Sequence, residues 1–209
     1  MNKIKICGLK SENDIKIVNK YMPDYVGFIL APSKRRISYE VAKALKELLN
    51  PSILVVGVFV NESLEIIEQY AKEKVIDVIQ LHGDESLEMI EVLKSKVNIP
   101  VIKAIRVKDE EQFKQLMPYI SQVSADYLLF DTYHEGLYGG SGKSFDWELL
   151  KLVERPYFLA GGIGLHNIEV ACKMKPFAID VSSGVETDGI KDADKIRALI
   201  QEVRFIKHH

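Results

Sequence analysis

The sequence contains little cysteine, with only Cys7 and Cys172 among its 209 residues. Two thiols cannot form the disulfide framework of a small secreted protein, so the composition favours a reducing compartment. The chain also lacks any apolar run near the roughly 20 residues of a membrane-spanning helix. Its first residues, MNKIKICGLK, interrupt their apolar positions with lysines, whereas a signal peptide needs a continuous apolar segment. We therefore expect a cytoplasmic protein that has no membrane partner.

The sequence also lacks an excess of either charge, because 28 Lys and Arg oppose 30 Asp and Glu. This balance gives no basic surface for nucleic acid, so we expect no nucleic-acid partner. A hydrophobic content of 47% is enough to build a core and excludes a disordered chain. No linker or low-complexity tract indicates a second domain. We expect residues 1–207 to form one domain, with His208 and His209 either native or the beginning of a purification tag.

Eight short β-branched runs alternate with amphipathic segments along the chain. The runs span 3–9, 25–30, 54–60, 78–83, 100–107, 127–132, 157–163 and 178–186. Eight similar strand–helix units predict an α/β fold, a single-domain (β/α)8 TIM barrel with short loops. An open doubly wound sheet is the alternative, because it shows the same alternation.

Two local features of the helical segments can be predicted. Asn61, Asp109 and Asp192 stand where helix N-caps are expected. Within 41–49, the helical period places one apolar face on Val41, Ala44, Leu45 and Leu48.

In a TIM barrel the active site lies at the carboxyl ends of the strands. Side chains of the first strand alternate, so Lys5 and Cys7 should point into the barrel, with Cys7 at its mouth. A thiolate there can act as nucleophile or general base, although a free cysteine is equally often a small buried hydrophobe. Asp131 ends the sixth run in the same way. A carboxyl group against apolar walls has a raised pKa and can serve as a general acid; the alternative is an aspartate that caps a loop.

Glycine-rich turns end the seventh and eighth runs. Barrels frequently bind phosphate with these two loops through backbone N–H groups, and each turn is expected to open a helix. The predicted phosphate-binding residues are Gly161, Gly162, Ser182, Ser183 and Gly184.

Other polar residues complete the predicted mouth. Arg36 suits a substrate carboxylate or a second phosphate, whereas Arg35 is interpreted as part of a solvated loop. Lys5 and Asp180 should form a buried polar network, and Asp180 is also counted among the substrate-binding side chains. Gln80 and His82 share the inner face of the fourth strand and are counted among the substrate-binding residues. For His82, a histidine buried in the core is the alternative.

No second His or Cys stands at ligand spacing to His82, so we expect no metal site. The sequence also lacks the GxGxxG fingerprint of dinucleotide binding, so we expect no cofactor of that kind. The segment 132–144, which ends in GGSGKS, is interpreted as a flexible active-site loop that precedes a helix.

Several motifs give the chain a close resemblance to the phosphoribosylanthranilate isomerase family of tryptophan biosynthesis. They are KICGL at 5–9, GFIL at 27–30, QLHG at 80–83, LLFDT at 128–132, GGSGKSFDW at 139–147, LAGGI at 159–163 and DVSSGVE at 180–186. The resemblance covers nearly the whole chain. It implies an Amadori rearrangement of N-(5-phosphoribosyl)anthranilate, a small-molecule substrate, and either a monomer or a homodimer.

The resemblance also implies roles for particular residues. Asp131 would protonate the furanose oxygen, and Cys7 would remove the proton from C2 of the sugar. Arg36 would face the anthranilate carboxylate, and the two glycine turns would hold the phosphate.

Three alternatives remain at this level. The histidine-pathway isomerase performs the same rearrangement with two aspartates, and Cys7 argues against it. Indoleglycerol-phosphate synthase needs a lysine and glutamate pair that these strand ends do not supply. A non-catalytic barrel that binds a phosphate metabolite is the third.

Overall fold

The computed structural model describes residues 2–132 and 145–206. Apart from Thr132, the segment 132–144 that was expected to form a loop therefore lies outside the described residues. His208 and His209 lie outside them as well. In the described part of the chain, no helix combines the length and apolar character needed to cross a membrane.

Eight parallel strands close into a barrel in chain order, which confirms the TIM-barrel prediction and excludes the open sheet. They are β1 (Lys3–Cys7), β2 (Tyr25–Ile29), β3 (Leu54–Phe59), β4 (Val78–Leu81), β5 (Val101–Val107), β6 (Tyr127–Thr132), β7 (Tyr157–Leu159) and β8 (Ala178–Val181). Closure pairs β1 with β8 and sets Lys5 beside Asp180. All eight strands begin within the predicted apolar runs.

Helices connect successive strands. They are α1 (Glu12–Tyr21), α2 (Tyr39–Leu48), α3 (Leu64–Lys72), α4 (Leu87–Lys96), α5 (Glu110–Gln122), α6 (Ile168–Lys173) and α7 (Ala193–Phe205). A 3₁₀ helix, Trp147–Leu152, lies between β6 and β7. A two-stranded hairpin, β9 (Glu186–Thr187) and β10 (Ile190–Lys191), separates β8 from α7.

The main hydrophobic core fills the layer between the strands and the helices, and a smaller cluster fills the barrel interior. Ile4 and Ile6 belong to the outer layer, while Leu129 belongs to the interior. Alternate strand residues therefore face opposite layers, as the period of a β-strand requires. This alternation turns Lys5 inward.

Two expectations about the helices were partly wrong. Asp109 and Asp192 do cap helices, but α3 begins after Ser63, and Asn61 instead adopts a left-handed φ of 50°. In α2 the buried residues are Ala42 and Leu45, while Val41 and Leu48 are exposed. The face that packs against the barrel is therefore centred on Ala42 and Leu45, one position away from the predicted Val41.

Candidate active site

One pocket opens at the carboxyl ends of the barrel strands. The predicted residues on its wall are Cys7, Gln80, His82, Asp131, Gly161, Gly162, Asp180, Ser182 and Ser183. The wall also contains Arg35, but neither Arg36 nor Gly184. Strand alternation and barrel closure thus bring most of the predicted site together.

Cys7 is the last residue of β1 and lies at the floor of this pocket, 7% exposed. The neighbouring position in β2 is Gly27, where a Cβ atom would lie 2.6 Å from the Cys7 sulfur. The absence of a side chain there leaves room for the thiol. Burial raises the pKa of Cys7, while the nearby cations Lys5 and Lys191 act in the opposite direction. The balance raises the pKa of Cys7 and so favours the protonated thiol.

Beneath the thiol, Lys5 Nζ donates a hydrogen bond to Asp180 Oδ2 at 2.8 Å, which confirms the predicted buried network. Lys5 is fully buried and Asp180 is 8% exposed. Burial lowers the pKa of Lys5, but the charge of Asp180 and the contact with Cys7 outweigh it and raise the pKa overall. A permanent ammonium group thus lies next to the sulfur.

Asp131 is the penultimate residue of β6 and lies on another part of the wall, where its Oδ1 accepts a hydrogen bond from the Thr132 N–H at 2.8 Å. Its Oδ2 lies 3.4 Å from His82 Nε2. The Gln80 amide nitrogen lies 2.8 Å from His82 Nδ1 and donates to it, which leaves the proton of a neutral imidazole on Nε2. Among the described residues, His82 Nε2 and Gln80 Oε1 have no hydrogen-bond partner. Both are buried polar atoms whose hydrogen-bonding capacity is unused.

The structure of the loop after β2 corrects the prediction that Arg36 lies at the mouth of the pocket. Arg35 lines the pocket, whereas Arg36 is exposed and lies in a separate surface groove. The Arg36 N–H bonds to Ser33 O in a turn, and Arg36 then pairs with Ile29 as a short extension of the sheet. Arg35 lies within this turn and faces the pocket, whereas Arg36 follows it at the edge of the sheet and faces outward.

Arg35 is fixed from behind by Glu186. Its Nε and one terminal nitrogen donate to the two carboxylate oxygens at 2.8 and 2.7 Å. Burial alone would raise the pKa of Glu186, but hydrogen bonds from Arg35 and Lys191 lower it to about 2. A Cβ atom at Gly8, whose φ is +84°, would lie 2.6 Å from Arg35 Cδ. Glycine at this position therefore lets Arg35 cross the end of β1.

The two glycine turns meet at the rim of the pocket. Gly161 and Gly162 have φ values of 89° and 68°, which favour glycine. Gly184 pairs with Gly164, and a Cβ on Gly184 would lie 2.0 Å from the carbonyl oxygen of Ile163. Gly184 therefore lets the turns approach each other and does not itself line the pocket.

The eighth turn also differs from the expectation that it opens a helix directly. The hairpin β9–β10 follows it, and α7 begins only at Ala193. Asp188 and Gly189 form the hairpin turn with φ values of 52° and 75°. An Asp-Gly pair is a strong hairpin signal that could have revealed this element from the sequence.

Glu186 and Lys191, the residues that sequence reasoning missed, lie on this hairpin. Lys191 Nζ donates to Glu186 Oε1 at 2.8 Å and to the Ser182 carbonyl at 3.0 Å. Within residues 2–132 and 145–206, no cluster of three His, Cys, Asp or Glu side chains is arranged to hold a metal ion.

A thiol, a carboxyl group and an arginine thus converge on a pocket whose rim consists of two glycine turns. This arrangement defines a class: a TIM-barrel enzyme equipped for acid–base chemistry on an anionic small molecule.

The comparisons with known proteins identify the family. A sequence model described as PRAI, N-(5'phosphoribosyl)anthranilate (PRA) isomerase, matches residues 4–202. An N-(5'-phosphoribosyl)anthranilate isomerase from Endomicrobium trichonymphae is 47% identical over 207 residues, 99% of this chain and 100% of the relative. The chain therefore belongs to the N-(5'-phosphoribosyl)anthranilate isomerase family, and it is an enzyme.

Solved structures agree with this assignment. The phosphoribosyl anthranilate isomerase of Thermotoga maritima superposes with a TM-score of 0.87 at 36% identity, covering 99% of this chain and 100% of the other. A second isomerase structure, with a TM-score of 0.83 and 34% identity over 99% and 100% of the two chains, contains reduced 1-(o-carboxyphenylamino)-1-deoxyribulose 5-phosphate.

Proposed function

We propose that this chain isomerises N-(5-phosphoribosyl)anthranilate to 1-(2-carboxyphenylamino)-1-deoxyribulose 5-phosphate in L-tryptophan biosynthesis. The observation that carries the proposal is the presence of Cys7 and Asp131 on the wall of one pocket. The rearrangement moves only protons within one molecule, so two groups that exchange protons with the substrate are sufficient.

Asp131 is proposed as the general acid of the first step. Its proton passes to the furanose ring oxygen while the bond between C1 and that oxygen breaks. The lone pair of the anthranilate nitrogen forms the C1=N bond of a protonated Schiff base. His82 Nε2 lies 3.4 Å from Asp131 Oδ2, so the imidazole can hold the carboxyl group in place on the pocket wall.

Cys7 is proposed as the general base of the second step. Its thiolate takes the proton from C2, and the released electron pair forms a C1=C2 bond while the C1=N electrons return to nitrogen. The resulting enolamine gains a proton at C1 and loses its hydroxyl proton, which gives the ketone. Lys5 supports thiolate formation, because its ammonium group interacts with Cys7.

The two ends of the substrate fit different parts of the pocket. We assign the anthranilate carboxylate to Arg35 instead of Arg36, since only Arg35 lies on the wall. We assign the phosphate to the turns at Gly161–Gly162 and Ser182–Ser183. Backbone N–H groups of glycine turns and serine hydroxyls are suitable phosphate ligands. Gln80 and Asp180 lie between these regions and are proposed to contact the sugar.

The experiment follows the loss of anthranilate fluorescence in the wild type and four variants. Cys7→Ala and Asp131→Asn should each lower kcat by roughly 100-fold or more with little change in KM, because each removes a proton-transfer group. Arg35→Met should instead raise KM, while Arg36→Met serves as the matched control and should behave as the wild type. Near-normal turnover without Cys7 or Asp131 would refute the assigned roles.

We further propose that residues 1–207 act as a single domain in the cytoplasm, as a monomer or a homodimer. The free cysteines support a reducing compartment. A related structure is described as generated monomers of the dimeric isomerase from Thermotoga maritima, which supports a homodimer as one of the two states. Light scattering coupled to size-exclusion chromatography distinguishes the two masses.

A further inference from the structure

The hairpin after β8 places a carboxylate behind the pocket arginine. Glu186 begins β9 and pairs with Lys191 of β10 across the hairpin. Its carboxylate, 6% exposed, accepts two hydrogen bonds from Arg35. Such a two-point contact between planar groups fixes the plane of the guanidinium as well as its position. Arg35 therefore reaches the pocket in a preset orientation.

Lys191 places a second cation on the same carboxylate. Its side chain is 2% exposed, and its Nζ lies 2.8 Å from Glu186 Oε1. One carboxylate thus lies between two cations, and the group of Arg35, Glu186 and Lys191 keeps a net positive charge. Without Lys191, the charges of Arg35 and Glu186 would cancel, and the arginine would attract an anion much less strongly.

Lys191 also connects the hairpin to the turn at the end of β8. Its Nζ donates to the Ser182 carbonyl at 3.0 Å, and the Ser182 hydroxyl donates to the Cys7 carbonyl at 3.1 Å. The same ammonium group therefore contacts the peptide that we assign to phosphate and the carboxylate that holds Arg35.

We propose that Glu186 and Lys191 are positioning residues for recognition of the substrate carboxylate. Glu186 orients Arg35. Lys191 balances the negative charge of Glu186, so that the positive charge of Arg35 remains available to attract the anthranilate carboxylate. This inference rests on the proposed function. If the wild type turned over no N-(5-phosphoribosyl)anthranilate, the proposed function would fail; if the wild type were active but the variants below did not differ, only this inference would fail.

The test compares Lys191→Met with the double variant Lys191→Met/Glu186→Gln. The single variant leaves Arg35 paired with an uncompensated carboxylate, and KM should rise about tenfold or more. The double variant removes that carboxylate as well, so the net positive charge returns and KM should fall back by several-fold. Lys195→Met is the matched control, because Lys195 Nζ binds the backbone carbonyl of Glu186 at 2.7 Å without touching its carboxylate.

Two inhibitors distinguish a loss of carboxylate recognition from a general loss of hairpin structure. One is the reduced 1-(o-carboxyphenylamino)-1-deoxyribulose 5-phosphate, and the other is its N-phenyl counterpart without the carboxyl group. Lys191→Met should weaken the first about tenfold and the second only slightly. Equal weakening of both inhibitors, or a double variant no better than the single one, would overturn the inference.

Should Lys191→Met fail to fold, Glu186→Asp carries the test by itself. It retains the negative charge but is one methylene shorter, so it cannot keep the two-point contact with Arg35, and the preference for the inhibitor with the carboxylate should fall. A preference equal to that of the wild type would overturn the role of Glu186.

Discussion

Lys5→Met removes a buried cation, and its effect on stability follows from the geometry. Lys5 is fully buried, and its Nζ lies 2.8 Å from Asp180 Oδ2. Methionine retains most of the apolar stem, so the substitution removes the charge while it largely preserves the packing. Asp180 is then left as a buried carboxylate without its cation. Breaking a buried pair in this way typically costs about 3–5 kcal/mol of unfolding free energy.

The raised pKa of Lys5 determines the pH at which the difference in unfolding free energy should be measured. Because the pKa of Lys5 is raised in the folded protein, its contribution is fully present below the ordinary lysine value of about 10.4. That contribution disappears only as the pH rises through the higher folded value. The difference between wild type and variant should therefore be complete at pH 7.

Urea unfolding followed by circular dichroism measures the loss. The control is Lys114→Met, because Lys114 pairs with Glu110 at 2.6 Å on an exposed helix face. Solvent screens that pair, so the control should leave the unfolding free energy almost unchanged. The double variant Lys5→Met/Asp180→Asn removes both charges and should recover part of the loss. A loss of less than about 1 kcal/mol for Lys5→Met, or no recovery, would refute the reasoning.

Two further predictions follow from the pocket. Gly184→Ala introduces a Cβ only 2.0 Å from the Ile163 carbonyl oxygen, so it should lower stability by roughly 1–3 kcal/mol and raise KM. Thermal unfolding and progress curves measure both quantities, and unchanged values would contradict the close contact of the two turns. Burial raises the pKa of Cys7, and the proposed mechanism needs one protonated and one ionised group, so kcat/KM should have a bell-shaped pH profile whose alkaline fall lies above the ordinary thiol value of about 8.5. An alkaline fall below that value would show that Cys7 ionises more easily than its surroundings indicate.

The part of the fold that the sequence predicts is the part that strand periodicity controls. Once β1 is recognised, alternation alone places Lys5 and Cys7 inside the barrel, and closure brings Asp180 beside Lys5. Asp131 follows from the same rule in β6. These residues could be predicted because the direction of each side chain depends only on the two-residue period of a β-strand and on the order of the strands in the barrel.

Residues outside the strands depend on local geometry that periodicity does not describe. Arg35 and Arg36 are adjacent and chemically identical, so composition cannot decide which one enters the pocket. The turn closed by the Arg36 N–H and Ser33 O decides it, together with the pairing of Arg36 with Ile29. In α2 a similar shift of one position exposes Val41, because a helical face assigned from spacing has an uncertainty of about one residue.

Glu186 and Lys191 show why a complete site is harder to predict than its reactive groups. A reactive thiol or carboxyl group has few other uses at a strand end, so its type and position together indicate chemistry. Glutamate and lysine are common on surfaces, and only the Asp188–Gly189 turn folds these two back against Arg35. Their contacts join a segment near residue 35 to a segment near residue 190. The sequence pattern of either segment alone does not indicate that it contacts the other. Supporting residues of this kind therefore become visible only when the turn is recognised and the two loops are brought together in three dimensions.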